Sequence, residues 1–150
     1  MMKAIICGGG SGGHVYPAVA IGEIINNEFD QSEIIYIGRE GGDENRGYLS
    51  TGMPLYTLKV SGINRSLSPK NILSLARAFL ARRKAISILK KLKPDIVIGT
   101  GGYVSWPVLS AALALKLPTI IHESNAYPGL VTRLIGHKCK AIMLGSRAAN

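Results

Sequence analysis

Three short stretches hold the residue types with which this chain could do chemistry. The first, Gly8-Gly9-Gly10-Ser11-Gly12-Gly13-His14, packs five glycines into six positions and ends on an imidazole. The second is Gly99-Thr100-Gly101-Gly102-Tyr103-Val104-Ser105, and the third is His122-Glu123-Ser124-Asn125. Together they offer backbone amides, hydroxyls, imidazoles and one carboxamide. Glycines let the backbone approach an anion, and amides at a helix start point at it with the positive end of the helix dipole behind them. Gly8, Gly10 and Gly13 satisfy G-x-G-x-x-G, a weak signal when it stands alone. No Lys-Ser/Thr follows the last glycine, which excludes a Walker loop. A tight strand-to-helix turn is the plain alternative, but so many glycines lose more backbone entropy than a turn requires.

Such a set suits transfer chemistry with a phosphorylated leaving group. His14 can take a proton from an acceptor hydroxyl while amides stabilise the charge developing on phosphate. A ring that contacts the anion, or is purely structural, is the other reading of His14. His122 reads as a loop-fixing residue, and His137, among cations near a helix end, carries no role. No D-x-D pair or H-E-x-x-H occurs and the two cysteines are isolated, so no metal is expected. A serine hydrolase lacks its G-x-S-x-G elbow. No cofactor is called for.

The elements that must position these residues follow from hydrophobic patterning. Short apolar runs predict strands at Lys3–Cys7, Glu33–Gly38, Leu55–Val60, Asp95–Gly99, Thr119–His122 and Lys140–Leu144. Helical rhythm begins at Pro17. A short helix is expected over Gly47–Thr51, one over Pro107–Lys116 and one after Pro128. Ser68-Pro69 starts a long helix that runs to about Leu92. Six strands alternating with helices predict an α/β fold, a parallel sheet covered on both faces. Ligands of such sheets bind beyond the carboxyl ends of the strands, where all three stretches fall. Cys7 and Cys139 are each placed in a strand, as buried small hydrophobes of a reducing, cytoplasmic compartment. The chain reads as one domain, residues 1–150, without a leader or a spanning helix.

Charge is distributed unevenly. The formal net charge is +9, and between Lys59 and Lys93 stand ten Lys/Arg and no acid. A block of this kind implies an anionic partner or a merely solvated basic face. On the long helix, Ala78, Ala81, Ala85, Ile88, Leu89 and Leu92 form one apolar stripe. Ile72, Leu75, Ala76 and Phe79 lie well around the helix from it, with Arg83 and Lys90. Apolar residues mixed with cations off the core stripe resemble an interfacial membrane surface. Burial of the helix on two sides is the alternative.

Three motifs in register, GGGSGGHVYPA, KPDIVIGTGGYVSWP and HESNAYPGL, resemble the MurG family of glycosyltransferases (glycosyltransferase family 28). The resemblance implies a Rossmann-like domain that is one half of a GT-B architecture, the acceptor-side and membrane-docking half, with a C-terminal donor domain absent. It implies inverting transfer of N-acetylglucosamine from UDP-N-acetylglucosamine to a lipid-linked N-acetylmuramoyl-pentapeptide diphosphate in peptidoglycan synthesis. Ser11, Gly12, Gly13 and Asn125 would contact the donor or its phosphates, and His14 would be catalytic. Gly101, Gly102, Tyr103, Ser105 and Glu123 would line the acceptor side, and Gly42-Asp43-Glu44 fits a G-x-E element. Ile72, Leu75, Phe79 and Arg83 would meet an anionic membrane at its cytoplasmic face, as a peripheral contact, and no nucleic acid is implied. Trp106 stands where the family commonly has a small residue, and Ser124 where it commonly has Gln. Two other readings remain: an NADP-binding dehydrogenase domain using Arg39 on a 2′-phosphate, and a non-catalytic membrane-docking subunit of a partner chain.

Overall fold

The computed structural model describes residues 1–62 and 70–146. Its elements run β1 (Met2–Cys7), α1 (Gly12–Glu28), β2 (Ser32–Arg39), α2 (Arg46–Leu49), β3 (Leu55–Leu58), α3 (Lys70–Leu92), β4 (Ile96–Gly99), α4 (Ser105–Ala114), β5 (Thr119–Glu123), α5 (Leu130–Ile135) and β6 (Ala141–Leu144). The six strands form one sheet in the order β3-β2-β1-β4-β5-β6. Every pairing is parallel, as the alternation of strands and helices requires.

Side chains leave a strand alternately to its two faces, and over the central strands β1, β2 and β4 both faces are dry, whereas the edge strand β6 is exposed. Ile5, Cys7, Ile35, Ile37, Val97 and Ile121 pack under α3 and α4. Ala4, Ile6, Ile34, Tyr36 and Ile98 pack under α1 and Tyr48 of α2. Burial pushes the Cys7 thiol up to about 12, so it acts as a core hydrophobe. Cys139, placed in a strand from sequence, instead follows a 3-10 turn ahead of β6 and is half-buried.

The long helix behaves as its two stripes predict. Ala81, Ala85, Ile88 and Leu89 are buried, whereas Ile72, Leu75 and Phe79 are 73%, 51% and 61% exposed. The Ser68-Pro69 start lies outside the described residues. None of the described helices is long and apolar enough to cross a membrane.

One boundary needs correction. Helix α1 begins at Gly12, five residues before the expected Pro17, which sits inside it. First-turn amides have no intrahelical acceptor in any case, so glycines are tolerated there. The missing N–H of Pro17 falls where it would have met the Gly13 carbonyl, and the Ser124 hydroxyl donates to that oxygen at 3.4 Å. His14 is therefore a helix residue, fixed by the first turn.

Candidate functional site at the carboxyl ends of β1, β4 and β5

The three chemically equipped stretches leave adjacent strands. The chain turns from β1 into α1 on one face of the sheet and from β4 into α4 on the other, which opens a crevice between these two strands. Across it the loops touch backbone to backbone. A Cβ on Gly102 would lie 1.8 Å from the Gly9 carbonyl oxygen, and one on Gly101 would lie 2.7 Å from Nδ1 of His14. Gly101 and Gly102 have φ of +103° and +74°, a region costly for side-chain-bearing residues. Glycine is thus required here by both space and conformation.

His14 is gripped from two sides by one residue. Its Nδ1 lies 3.0 Å from the Thr100 carbonyl, while the Thr100 hydroxyl donates to the His14 carbonyl at 2.6 Å. A carbonyl only accepts, so Nδ1 carries the proton in the neutral ring and Nε2 keeps its lone pair. Thr100 is 1% exposed, and its amide donates to the Cys7 carbonyl at the end of β1 at 2.9 Å. The imidazole lines a groove of about 450 Å³ that also reaches Gly101, Gly102, Tyr103 and Asn125. The groove thus brings together the ring, the Gly101–Gly102 backbone and Asn125, whereas Ser11, Gly12 and Gly13 are not on its lining.

Other predicted residues serve the frame. Ser105 is fully buried, and its hydroxyl accepts from the Gly101 amide and has its one proton between the Gly101 carbonyl at 2.7 Å and the Cys7 carbonyl at 3.1 Å. It braces the second loop and does not face the groove. Glu123 is 4% exposed, and each carboxylate oxygen accepts two bonds. Oε1 takes the amide and carboxamide N–H of Asn125, and Oε2 takes the Gly129 amide and the Thr132 hydroxyl. Burial opposes its ionisation, yet these four donors hold it below the usual carboxylate range. Glu123 therefore shapes the turn that carries Asn125 into the groove, with no acceptor capacity left for a ligand.

Glu44, flagged only within Gly42-Asp43-Glu44, does similar work under the first loop. Arg39 donates to both its oxygens at 3.2 Å, and the Gly10 amide donates to Oε1 at 2.9 Å. The Arg39 guanidinium holds this carboxyl below its usual range; burial works against that and the Gly10 amide reinforces it. One glycine-loop amide is thereby taken by an internal anion, leaving the first-turn amides of Gly12 and Gly13 for a ligand. The same pair removes the feature on which an NADP reading rests, since Arg39 is committed to Glu44 and not turned to a ribose phosphate. Thr100 and Tyr48, whose buried hydroxyl donates to the Gly8 carbonyl at 3.1 Å, were not singled out from sequence. Nothing in their spacing marks them, because their partners lie 86 and 40 residues away. Among the described residues no cluster of His, Cys, Asp or Glu could hold a metal ion.

Residues 4–144 match the glycosyltransferase family 28 N-terminal domain. The chain belongs to that family. Over 148 residues it is 45% identical to the UDP-N-acetylglucosamine--N-acetylmuramyl-(pentapeptide) pyrophosphoryl-undecaprenol N-acetylglucosamine transferase of Lactococcus lactis subsp. cremoris, covering 99% of this chain and 42% of that protein. The transferase of the same name from Carboxydothermus hydrogenoformans is 44% identical, covering 95% of this chain and 38% of that protein. The crystal structure of Acinetobacter baumannii MurG superposes with a TM-score of 0.85 at 27% identity, over 99% of this chain and 43% of that one. The chain thus spans about two fifths of the length of the curated relatives it matches. As a family 28 N-terminal domain, it is the Rossmann-like half of the architecture expected from its motifs.

Proposed function

We propose that this chain supplies the acceptor-side half of an inverting transferase. N-acetylglucosamine would pass from UDP-N-acetylglucosamine to the hydroxyl of a lipid-linked N-acetylmuramoyl-pentapeptide diphosphate, in peptidoglycan synthesis. The observation that carries the reading is His14, whose Nδ1–H is spent on Thr100 and whose ring lines the groove beside the second glycine loop. As the acceptor oxygen attacks the anomeric carbon, Nε2 takes its proton. The new C–O bond forms as the bond to the UDP oxygen breaks, and UDP leaves as an anion. The amides of Gly12 and Gly13 and the carboxamide of Asn125 are the donors offered to phosphate charge. Ser11, at the N-cap of α1 with no capping hydrogen bond from its own side chain, adds a hydroxyl to this set. The loop Gly101–Tyr103 faces the acceptor diphosphate. Most contacts to uridine and sugar are assigned to the part of the family architecture that this chain does not span.

The exposed face of α3 fits the same reading. Ile72, Leu75 and Phe79 with Arg83 form a mixed apolar and basic surface suited to the cytoplasmic face of an anionic membrane, which a lipid-linked acceptor would never leave.

The test is His14→Ala in a protein carrying both halves. A general base contributes about 10²–10⁴-fold to turnover, whereas a ring that only contacts phosphate mainly raises the donor KM. A kcat within about threefold of the parent refutes the base role.

A further inference from the structure

The groove that begins at His14 does not end at the glycine loops. The same cavity continues between α3 and α5, walled by Leu75, Phe79, Trp106, Leu130, Val131 and Leu134. One end is therefore built of glycine backbone and an imidazole, the other almost wholly of hydrocarbon and aromatic rings. Among the described residues Glu123 is the only acid on the lining, and its oxygens are already saturated by four donors. Among the described residues the apolar end thus offers no free charge.

Its walls are also held open. Phe79 is 61% exposed, yet its ring meets Trp106 edge to face, with centroids 6.3 Å apart and planes at 61°. Trp106 is itself anchored at the start of α4, between buried Ser105 and buried Pro107, and packs against the core beneath. A groove walled by an anchored aromatic pair loses little freedom when a ligand fills it. Trp106 is the only tryptophan of the chain, so its emission reports on this wall alone.

We infer that the groove between Phe79, Trp106 and Leu134 seats the isoprenoid segment adjoining the diphosphate of the acceptor. The inference rests on the acceptor class given above and adds a subsite to it. A polyprenyl diphosphate has the same polarity sequence as the cavity: an anion, then branched hydrocarbon. With the diphosphate at Gly101–Tyr103, the first isoprene units enter the apolar end directly. The groove then opens beside Leu75 and Phe79, on the exposed face of α3, so the chain reaches the bilayer without crossing water. Branched alkenes present methyl and methylene edges to ring faces, the contact an edge-to-face aromatic pair leaves available.

Trp106 makes the test direct. Geranyl diphosphate, added to the 150-residue chain, should shift Trp106 emission to the blue saturably, with a Kd of about 100 µM or tighter. Inorganic diphosphate should bind more weakly and leave the emission where it was. Phe79→Ala, read by calorimetry and by Trp106 emission, should weaken geranyl diphosphate roughly tenfold, the loss expected for part of a buried phenyl group. Leu80→Ser, an equally exposed position off the groove, should not change it. Equal binding of the two diphosphates overturns the seat while leaving the anion site intact. The seat is equally refuted if Phe79→Ala is silent, or if phosphatidylglycerol vesicles alone reproduce the whole emission shift, which would make Trp106 a bilayer contact. A failed transfer assay in a protein carrying both halves, with geranyl binding intact, would instead remove the transferase reading.

Discussion

Gly102→Ala and Gly41→Ala form a pair that separates two ways in which glycine is required. Both residues sit at nearly the same left-handed angle, φ +74° and +67°. A Cβ on Gly41 would meet nothing within 4 Å, whereas one on Gly102 would lie 1.8 Å from the Gly9 carbonyl oxygen and 3.1 Å from the His14 ring. The conformational part is therefore common to both and amounts to about 1–2 kcal/mol. Only Gly102 adds a clash with backbone, which cannot turn aside like the end of a flexible side chain. Overpacking of this kind adds about 1–3 kcal/mol, for a total of roughly 2–5 kcal/mol. At about 2–4 °C per kcal/mol for a chain of this size, Gly41→Ala should lower Tm by about 2–8 °C and Gly102→Ala by about 4–20 °C. Urea titration at constant m gives the same comparison. In a protein with both halves, Gly102→Ala should also lose turnover, because the loops part and His14 loses its support. Equal destabilisation by the two substitutions would refute loop-to-loop contact as the basis of the site.

Three further outcomes follow from the frame and the surface. Glu123→Gln removes a buried carboxylate from four donors and should destabilise by about 1.5–3 kcal/mol, read by urea unfolding. The folded carboxyl lies below its unfolded value, so its contribution is complete above the ordinary glutamate range and disappears as pH falls through the folded value. The difference between parent and variant should accordingly shrink in acid, and a pH-independent difference would contradict this. Sedimentation with phosphatidylglycerol vesicles should weaken in Ile72→Ser/Phe79→Ser and with salt, since each cation near the surface contributes about 1 kcal/mol over a screening length of about 10 Å at 0.1 M. The 150-residue chain alone should bind UDP-N-acetylglucosamine only at about millimolar Kd or weaker and show no turnover. Micromolar affinity by calorimetry would place the nucleotide site on this half.

What was legible in the sequence was whatever depends on neighbours along the chain. Apolar runs marked all six strands; the central ones are apolar because they are buried on both faces, whereas β6, at the edge of the sheet, keeps its apolar run with all four residues exposed. The two stripes of α3 were separable because 3.6-residue spacing is a local property, and the exposure of Ile72, Leu75 and Phe79 agrees with it. The start of α1 was misplaced because Pro17 resembles a first-turn proline and glycines resemble loop. Only the geometry of the site reveals that those glycines form the first turn and that Ser124 meets the carbonyl left by Pro17. Ser105 and Glu123 were placed in the acceptor loops by motif, and their residue types gave no hint that every polar atom would be spent inward. Thr100, Glu44 and Tyr48 act across the sheet, and no pattern along a single strand encodes such contacts.

Strand order decides what kind of site this can be. Because β1 and β4 are neighbours whose following helices go to opposite faces, their loops diverge above the sheet but must meet at its rim. In this chain they meet closely, Gly9 against Gly102, with the His14 ring laid over Gly101. The crevice is therefore closed at its floor, and a ligand has to lie above the loops, along the groove toward α3 and α5. That direction leads from the Gly101–Tyr103 loop and an imidazole with one fixed tautomer to an aromatic pair and an exposed apolar helix face. A ligand lying along it with favourable contacts throughout is anionic at the loops and hydrocarbon toward α3 and α5, with its nucleophile on the other side of the anion from the hydrocarbon, beside the imidazole. A soluble nucleotide cofactor meets only the first of these conditions; a lipid-linked diphosphate sugar meets all three.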